Sequence, residues 1–410
     1  MGKMRPNLKF PTRGGPNREY LIGPGVLHGP VAMSFPSVSR ATNSPFASTP
    51  AVHADQPQPN LRLLAFDGGG IRGLSSLLIL QDIMDQIRRN LKLHETPPPC
   101  EYFDLICGTS TGGLIAILLG RLRMSVDDAI RVYVSFAKQV FATKAARHLL
   151  SPNKFDHKKF EDVIKLTIKD RTGDVDARMA DPLGTSCCFV FVLAVQKHAP
   201  AGEPTLLRTY SGPEADPAPC SIWQAARATT AASSFFESIN IPIRAGGIKA
   251  ELVDAGLGFN NPTEQAFNEA IRIWGRSRPI GCLLSIGTGH LKIIGLNGLT
   301  RISTLYNVAK ACAAIATDCE KTHENVLKLV NTSIQFRNSS YTRFNVDQGM
   351  QDVGLEEWDM MSRVVTHTHN YLSKGEVQEK KRKCVENIMA VSEEQPSGQR
   401  SSDGPTTRGW

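Results

Sequence analysis

Gly108-Thr109-Ser110-Thr111-Gly112 sets a serine between two glycines, with an apolar strand-like run, Tyr102 to Cys107, before it and a helix-like run, Gly113 to Leu122, after it. A strand, a tight turn and a helix are what a G-x-S-x-G nucleophile elbow needs, because small flanking residues let the chain bend sharply and lift Ser110 into solvent. Upstream, Asp67-Gly68-Gly69-Gly70-Ile71-Arg72-Gly73 follows the strand-like run Leu61 to Phe66 and opens another helix-like segment. Its glycines let backbone N–H groups converge on one anion, and the helix N-terminus adds partial positive charge. Far downstream, Glu251-Leu252-Val253-Asp254-Ala255-Gly256 leaves a carboxylate, Asp254, at the end of a third strand-like run. A nucleophile, an anion cradle and a base, each at the C-terminal edge of a strand, point to acyl transfer. On this reading the amides of Gly69 and Gly70 form the oxyanion hole, Gly68 shapes the turn and the Thr111 amide adds a donor. Arg72 either holds the loop by pairing with a carboxylate such as Asp67 or meets a phosphate headgroup.

In this order and context the motifs resemble those of the patatin-like phospholipases, the patatin-type lipid acyl hydrolases. The matching positions are the glycine loop Gly68 to Gly73, the elbow Gly108 to Gly112, and a third box. That box reads Asp254-Ala255-Gly256 where the family pattern is Asp-Gly-[Gly/Ala]. Trp223 to Ala232 and Leu284 to Gly289 also look like the family's, so the resemblance spans roughly residues 60 to 300, and more weakly Tyr341 to Val346. It implies a Ser110–Asp254 dyad in which the carboxylate takes the serine proton directly, with no histidine. Such a base must lie within about 3 Å of the hydroxyl and be partly desolvated. The implied activity is hydrolysis of glycerolipid or phospholipid acyl esters through an acyl-enzyme. The chemistry requires neither calcium nor any other metal, and no cofactor.

Positioning these groups falls to alternating strand-like and helix-like runs, which argue for an α/β fold with a largely parallel central sheet covered by helices on both faces. The expected strands are Leu61 to Phe66, Tyr102 to Cys107, Cys188 to Gln196, Thr205 to Tyr210, Ile248 to Val253 and Pro279 to Gly289. Expected helices are Leu74 to Leu91, Gly113 to Leu122, Ile222 to Phe236, one starting at Asn261-Pro262-Thr263-Glu264, and 301 to 335. The resemblance places the fold in the patatin-like variant of the α/β-hydrolase architecture. The expected organisation is a disordered Pro/Gly/Ser-rich arm (1–58), a catalytic domain (59–300), a helical extension packed on the core (301–375), and a basic then polar disordered tail (376–410). Removing 376–410 is therefore expected to leave turnover of a soluble ester unchanged.

The chain has 410 residues, 41% of them hydrophobic, and a formal charge of +8. That balance favours anionic surfaces, and the expected partners are a lipid substrate and a transiently visited membrane surface, not nucleic acid. The densest basic run, Lys380-Lys381-Arg382-Lys383, reads as a lipid contact, a nuclear signal, or the solvated end of a helix. Nine scattered cysteines with no C-x-x-C pair fit neither a disulfide framework nor a zinc site, so a cytoplasmic protein is expected. No apolar stretch approaches the ~18 residues of a spanning helix. The start of the chain lacks a secretory signal, while its scarcity of acid leaves a mitochondrial presequence open. Phe136 to Lys169 reads as a lipid-facing rim or as a helix packed on the core.

Rival readings rest on named residues. Ser110, Asp254 and His290 follow the chain order of an α/β-hydrolase triad. His367 and His369 have an H-x-H spacing that suits a metal. Gly68-x-Gly70-x-x-Gly73 satisfies the dinucleotide-binding pattern, which also needs an acidic residue at the end of the next strand. A lipid-binding or interaction module with weak or lost activity could keep the same fold.

Overall fold

In the computed structural model, residues 59–141, 155–181, 188–212, 217–233, 235–243, 247–290, 319–333 and 340–390 are described. The strands are β1 (Leu61–Phe66), β2 (Leu105–Thr109), β3 (Phe189–Gln196), β4 (Thr205–Arg208), β5 (Ile239–Pro242), β6 (Lys249–Asp254), β7 (Ile280–Ile286) and β8 (Ser340–Phe344). They form one mixed sheet in the order β5-β6-β3-β2-β1-β7-β8, with β4 also paired to β3. The inner ladders β3-β2-β1-β7-β8 are parallel, and β4, β5 and β6 pair antiparallel. β2 and β7 are buried along their whole length, as strands covered on both faces must be, and therefore read as continuous apolar runs.

Helices cover both faces. Leu61, Leu63 and Ala65 of β1 point into a core shared with Ala266, Phe267 and Ala270 of α6 (Thr263–Trp274), the helix after β6. On the other face lie α1 (Gly73–Asn90), α2 (Thr111–Ala116) and α5 (Ile222–Thr229), with α3 (Val126–Phe141) and α4 (His157–Thr172) outside them. Two C-terminal helices, α7 (Met361–Leu372) and α8 (Gly375–Ala390), pack on α1. Among the described residues no helix is long and apolar enough to cross a membrane.

Several expectations shift. β2 begins at Leu105, because Pro99–Glu101 form a short 3-10 turn, and it runs on to Thr109 through pairing with β3. α5 starts on a Ser221/Gln224 capping box but ends at Thr229, well before Phe236, which leaves the Ala231 carbonyl to accept the Asp254 N–H at 3.1 Å. α6 starts one residue later than an Asn261 cap with proline at the first helical position: Pro262 is the N-cap and Thr263 the first helical residue, while Asn261 Oδ1 accepts from the Thr263 amide at 3.1 Å. The arm 1–58, residues 301–318 of the expected helix, and 391–410 lie outside the described residues.

The tail expected from 376 is corrected over its first half. Residues 375–390 are helical, and Val377, Lys381, Cys384, Val385 and Ile388 are buried. These positions form one stripe at helical spacing, with Lys381 inserted in it. Lys381 reaches Asp82 at 2.6 Å, Arg382 pairs with Glu379 and Glu386, and Lys383 with Glu379 at 3.5 Å. Three of the four cations of the basic run are thus matched by carboxylates within the protein, and the run does not offer four charges to a lipid surface.

Candidate active site

Register brings the site together. Thr109 of β2 pairs with Leu193 of β3, and the next residue of β3, Ala194, pairs with Asp254 of β6. Asp254 therefore lies level with Ser110 one strand beyond β3, a backbone gap of about 10 Å at ordinary strand spacing. Both side chains line the same cavity, and the Ser110 hydroxyl lies near enough to the Asp254 carboxylate to pull its pKa down.

Ser110 stands at φ 56°, ψ −130°, a conformation that L side chains rarely adopt and that exposes its hydroxyl above the start of α2. The bend closes so tightly that a methyl group on Gly108 would come within 2.1 Å of the Gly112 carbonyl oxygen. Two hydrogen bonds hold the turn: Ser110 N–H donates to Thr229 Oγ1 at 3.0 Å, and the Ser110 carbonyl accepts from Leu114 N–H at 3.1 Å. Thr229 lies in the 223–232 stretch of the resemblance, although its own role was not legible there.

Asp254 keeps Oδ1 on the Gly256 amide at 2.8 Å. Its carboxylate opens onto the cavity and is otherwise enclosed by protein. Burial pushes its pKa up to about 6, against the opposing pull of the nearby Ser110 hydroxyl and of the Gly256 hydrogen bond. Ala255, the departure from the family box, is fully buried in the core beneath α6, where its methyl group is accommodated.

The glycine loop needs a correction. Gly68 cannot be an oxyanion donor, because its N–H donates to the Asn260 carbonyl at 3.1 Å. The Gly68 carbonyl is fixed by Asn260 Nδ2 at 3.1 Å and Thr288 Oγ1 at 3.0 Å. Gly69 N–H already donates to Thr111 Oγ1 at 3.3 Å. Gly70 N–H and Thr111 N–H make no hydrogen bond among the described residues, and both residues line the cavity beside Ser110. Those two amides are the donors open to a developing anion. Gly70 sits at φ +56°, and its missing Cβ would come 2.0 Å from the Leu355 carbonyl oxygen.

Arg72 is buried under the loop, with Nε donating to the Gly69 carbonyl at 3.5 Å. Asp67 takes a different partner, Arg343 of β8, in a bidentate pair at 3.1 and 2.6 Å. Arg343 Nη1 also donates to Ser285 Oγ at 2.7 Å, so β8 is tied to the start of the glycine loop. The Tyr341 to Val346 stretch lies in the weaker part of the resemblance and was not expected as a strand, and nothing in the sequence paired Arg343 with Asp67.

Above Ser110 the cavity is walled by Phe136, Phe141, Phe235, Phe236, Leu257 and Leu355. Phe136 and Phe141 pack edge-on against Phe160 and Phe155 at 4.9 and 5.1 Å. The Phe136 to Lys169 stretch thus packs on the core and also walls the cavity, while 142–154 lie outside the described residues. Leu257 is 55% exposed at this wall.

His290 does not join Ser110 and Asp254: its Nδ1 lies 3.6 Å from Glu320 Oε1. His367 lies against the Gly349 backbone, and His369 is half-buried on α7 with its pKa lowered by burial. Among the described residues neither joins a group of three potential metal ligands. The dinucleotide reading fails on geometry: β2 ends in Thr109-Ser110 where an acidic residue is needed. The amides of Gly68, Gly69, Ile71 and Arg72 are also already engaged.

Comparison with known proteins agrees with this layout. Residues 64–267 match the family model described as Patatin-like phospholipase. The chain is 26% identical over 293 residues to "Phospholipase A I" of Arabidopsis thaliana, covering 57% of this chain and 21% of that protein. It is 27% identical over 287 residues to "Calcium-independent phospholipase A2-gamma" of Rattus norvegicus, covering 68% of this chain and 34% of that one. It is also 26% identical over 239 residues to "Probable inactive patatin-like protein 9" of Arabidopsis thaliana, covering 53% of this chain and 56% of that protein. The chain therefore spans about a third or less of the length of the first two relatives. By the family match and by the sheet that carries it, the segment 64–267 belongs to the patatin-like phospholipase family.

Proposed function

We propose that this protein is a serine acyl hydrolase that cleaves fatty-acyl esters of glycerolipids, phospholipids foremost, through a Ser110–Asp254 dyad. The observation that carries the reading is the placement of Ser110, on a strained elbow, beside Asp254 at the base of an aromatic-walled cavity. A serine hydroxyl is protonated at neutral pH and attacks esters poorly without a base. Asp254, with its proton affinity raised by burial, accepts that proton as Ser110 attacks the carbonyl carbon. The oxyanion turns toward the amides of Gly70 and Thr111, and the leaving alcohol takes the proton back from Asp254. Water then attacks the acyl-enzyme with Asp254 again as base, releasing the fatty acid. The apolar wall takes the acyl chain, and exposed Leu257 meets the lipid surface. We place the enzyme in the cytoplasm, visiting membranes from solution; the seven described cysteines, all free thiols, support a reducing compartment.

The names of the relatives favour calcium-independent phospholipase chemistry, and one of them favours an inactive module. Fatty-acid release from phosphatidylcholine vesicles in excess calcium chelator separates the two. Release by the wild-type chain, absent in a folded Ser110→Ala variant, is expected. No release from phospholipid or neutral-lipid vesicles by the wild type would favour the inactive module.

A further inference from the structure

The loop that carries the oxyanion donors is tied down by a hydroxyl that belongs to none of the sequence motifs. Tyr133 of α3 is 1% exposed, and its Oη donates to the Gly70 carbonyl. The Thr111 side chain and the Gly73 amide lie near enough to the same oxygen to lower its pKa, and the Gly73 N–H also donates to the Gly70 carbonyl. The Thr111 hydroxyl in turn accepts the Gly69 N–H at 3.3 Å. Each hydroxyl has one proton to give, so the chain has one direction. The order we infer runs from Gly69 N–H to Thr111 Oγ1, on through the Thr111 hydroxyl beside Tyr133 Oη, and from Tyr133 O–H to the Gly70 carbonyl. Bonds ordered in this way strengthen one another in a buried setting.

The consequence falls on the donor amide. The peptide before it is fixed through Gly69 N–H, and the peptide after it through the Gly70 carbonyl. That second peptide is also held at its other end, where Ile71 N–H donates to the Leu355 carbonyl at 2.8 Å. The peptide in between carries Gly70 N–H, and its own carbonyl, that of Gly69, accepts from Arg72 N–H at 3.1 Å. A run of three glycines would otherwise rotate freely, because glycine occupies both signs of φ with little preference. Burial also raises the Tyr133 pKa well above the neutral range, so its hydroxyl keeps the proton that it donates.

We propose that Tyr133 is a positioning residue of the oxyanion hole: acting through Thr111 and the Gly70 carbonyl, it fixes the direction of Gly70 N–H toward the tetrahedral intermediate. This rests on the acyl-hydrolase reading of the site. Because the group is aimed at charge that exists only in the transition state, its loss should lower kcat and leave KM nearly unchanged.

The test compares Tyr133→Phe, Thr111→Val and the double variant with wild type on a soluble ester and on an alkyl trifluoromethyl ketone, which forms a tetrahedral oxyanion on the serine. Each single variant should lose about ten- to hundredfold in kcat, the scale of a displaced but not deleted donor. Ketone affinity should fall by a similar factor, with KM changed less than about twofold. The double variant should lose little more than either single one, because both break the same chain. Ile130→Val, a packing change elsewhere on α3, should keep the wild-type ratio of ketone affinity to KM. Wild-type-like kcat and ketone affinity in Tyr133→Phe would overturn the inference, as would fully multiplicative losses in the double variant. If Tyr133→Phe does not fold, Thr111→Val alone decides by the same two readouts. A wild-type chain that neither hydrolyses the ester nor binds the ketone would instead overturn the acyl-hydrolase reading, and this inference with it.

Discussion

Asp254→Asn should lose at least about a thousandfold in turnover, the upper range for removing a general base, and should at the same time melt higher than wild type at neutral pH. The loss follows because, among the described residues, Asp254 is the carboxylate whose pKa the Ser110 hydroxyl pulls down, while His290 sits by Glu320. The gain follows from the same burial. In the fold the Asp254 pKa is raised from 3.8 to about 6. A group raised in this way contributes its full stability below about pH 4 and loses it as pH climbs through about 6. Keeping the carboxylate charged in this enclosed setting costs about 3 kcal/mol relative to the unfolded chain. Asparagine is neutral at every pH and can still accept from the Gly256 amide. Its advantage in thermal melts should therefore be present at about pH 7.5 and vanish near pH 4. In wild type, kcat/KM should rise with pH along a curve with an apparent pKa near 6, as Asp254 becomes the unprotonated base. Turnover in Asp254→Asn within about tenfold of wild type would assign the proton to another group.

The second large effect is on folding. Deleting 376–410 removes Val377, Val385 and Ile388, each buried against the rest of the protein. At about 1.5–3 kcal/mol per buried aliphatic side chain, their loss is of the same order as the whole stability of a typical domain, about 5–15 kcal/mol. It also leaves Asp82 without Lys381. The shortened chain is expected to be unfolded or insoluble and to have no esterase activity, contrary to the expectation drawn from sequence. Arg382→Ala, which breaks only exposed pairs, should melt close to wild type. Circular dichroism melts distinguish the cases, and a cooperative melt of the shortened chain near that of the full chain would show that α8 is dispensable.

The misreading of α8 has a physical origin. Its buried stripe runs Val377, Lys381, Cys384, Val385, Ile388, and a lysine at the second position breaks the apolar pattern that marks a core-facing helix. Only the partner, Asp82 on a helix nearly three hundred residues earlier, makes that lysine intelligible. The elbow serine, the Asp254 carboxylate and the glycine loop were legible as candidates because each lies at a strand end and announces itself by local composition. Which amides of the loop are open was not legible. It depends on the Asn260 carbonyl and Thr111 Oγ1 accepting from the Gly68 and Gly69 amides, and those are long-range pairings. Tyr133 and Arg343 were hidden for the same reason, since a helix-face tyrosine and a strand arginine look ordinary until the fold sets them against the loop. β5 and β8 went unread because each is a short edge strand of four or five residues with weak alternation.

The most direct test of the dyad is covalent labelling by a serine-directed fluorophosphonate, followed by mass-spectrometric mapping of the modified residue. Labelling should fall on Ser110 alone, disappear in Ser110→Ala, slow by orders of magnitude in Asp254→Asn and persist in His290→Ala. Labelling of a different residue, or unchanged labelling of Ser110 in Asp254→Asn, would contradict the account.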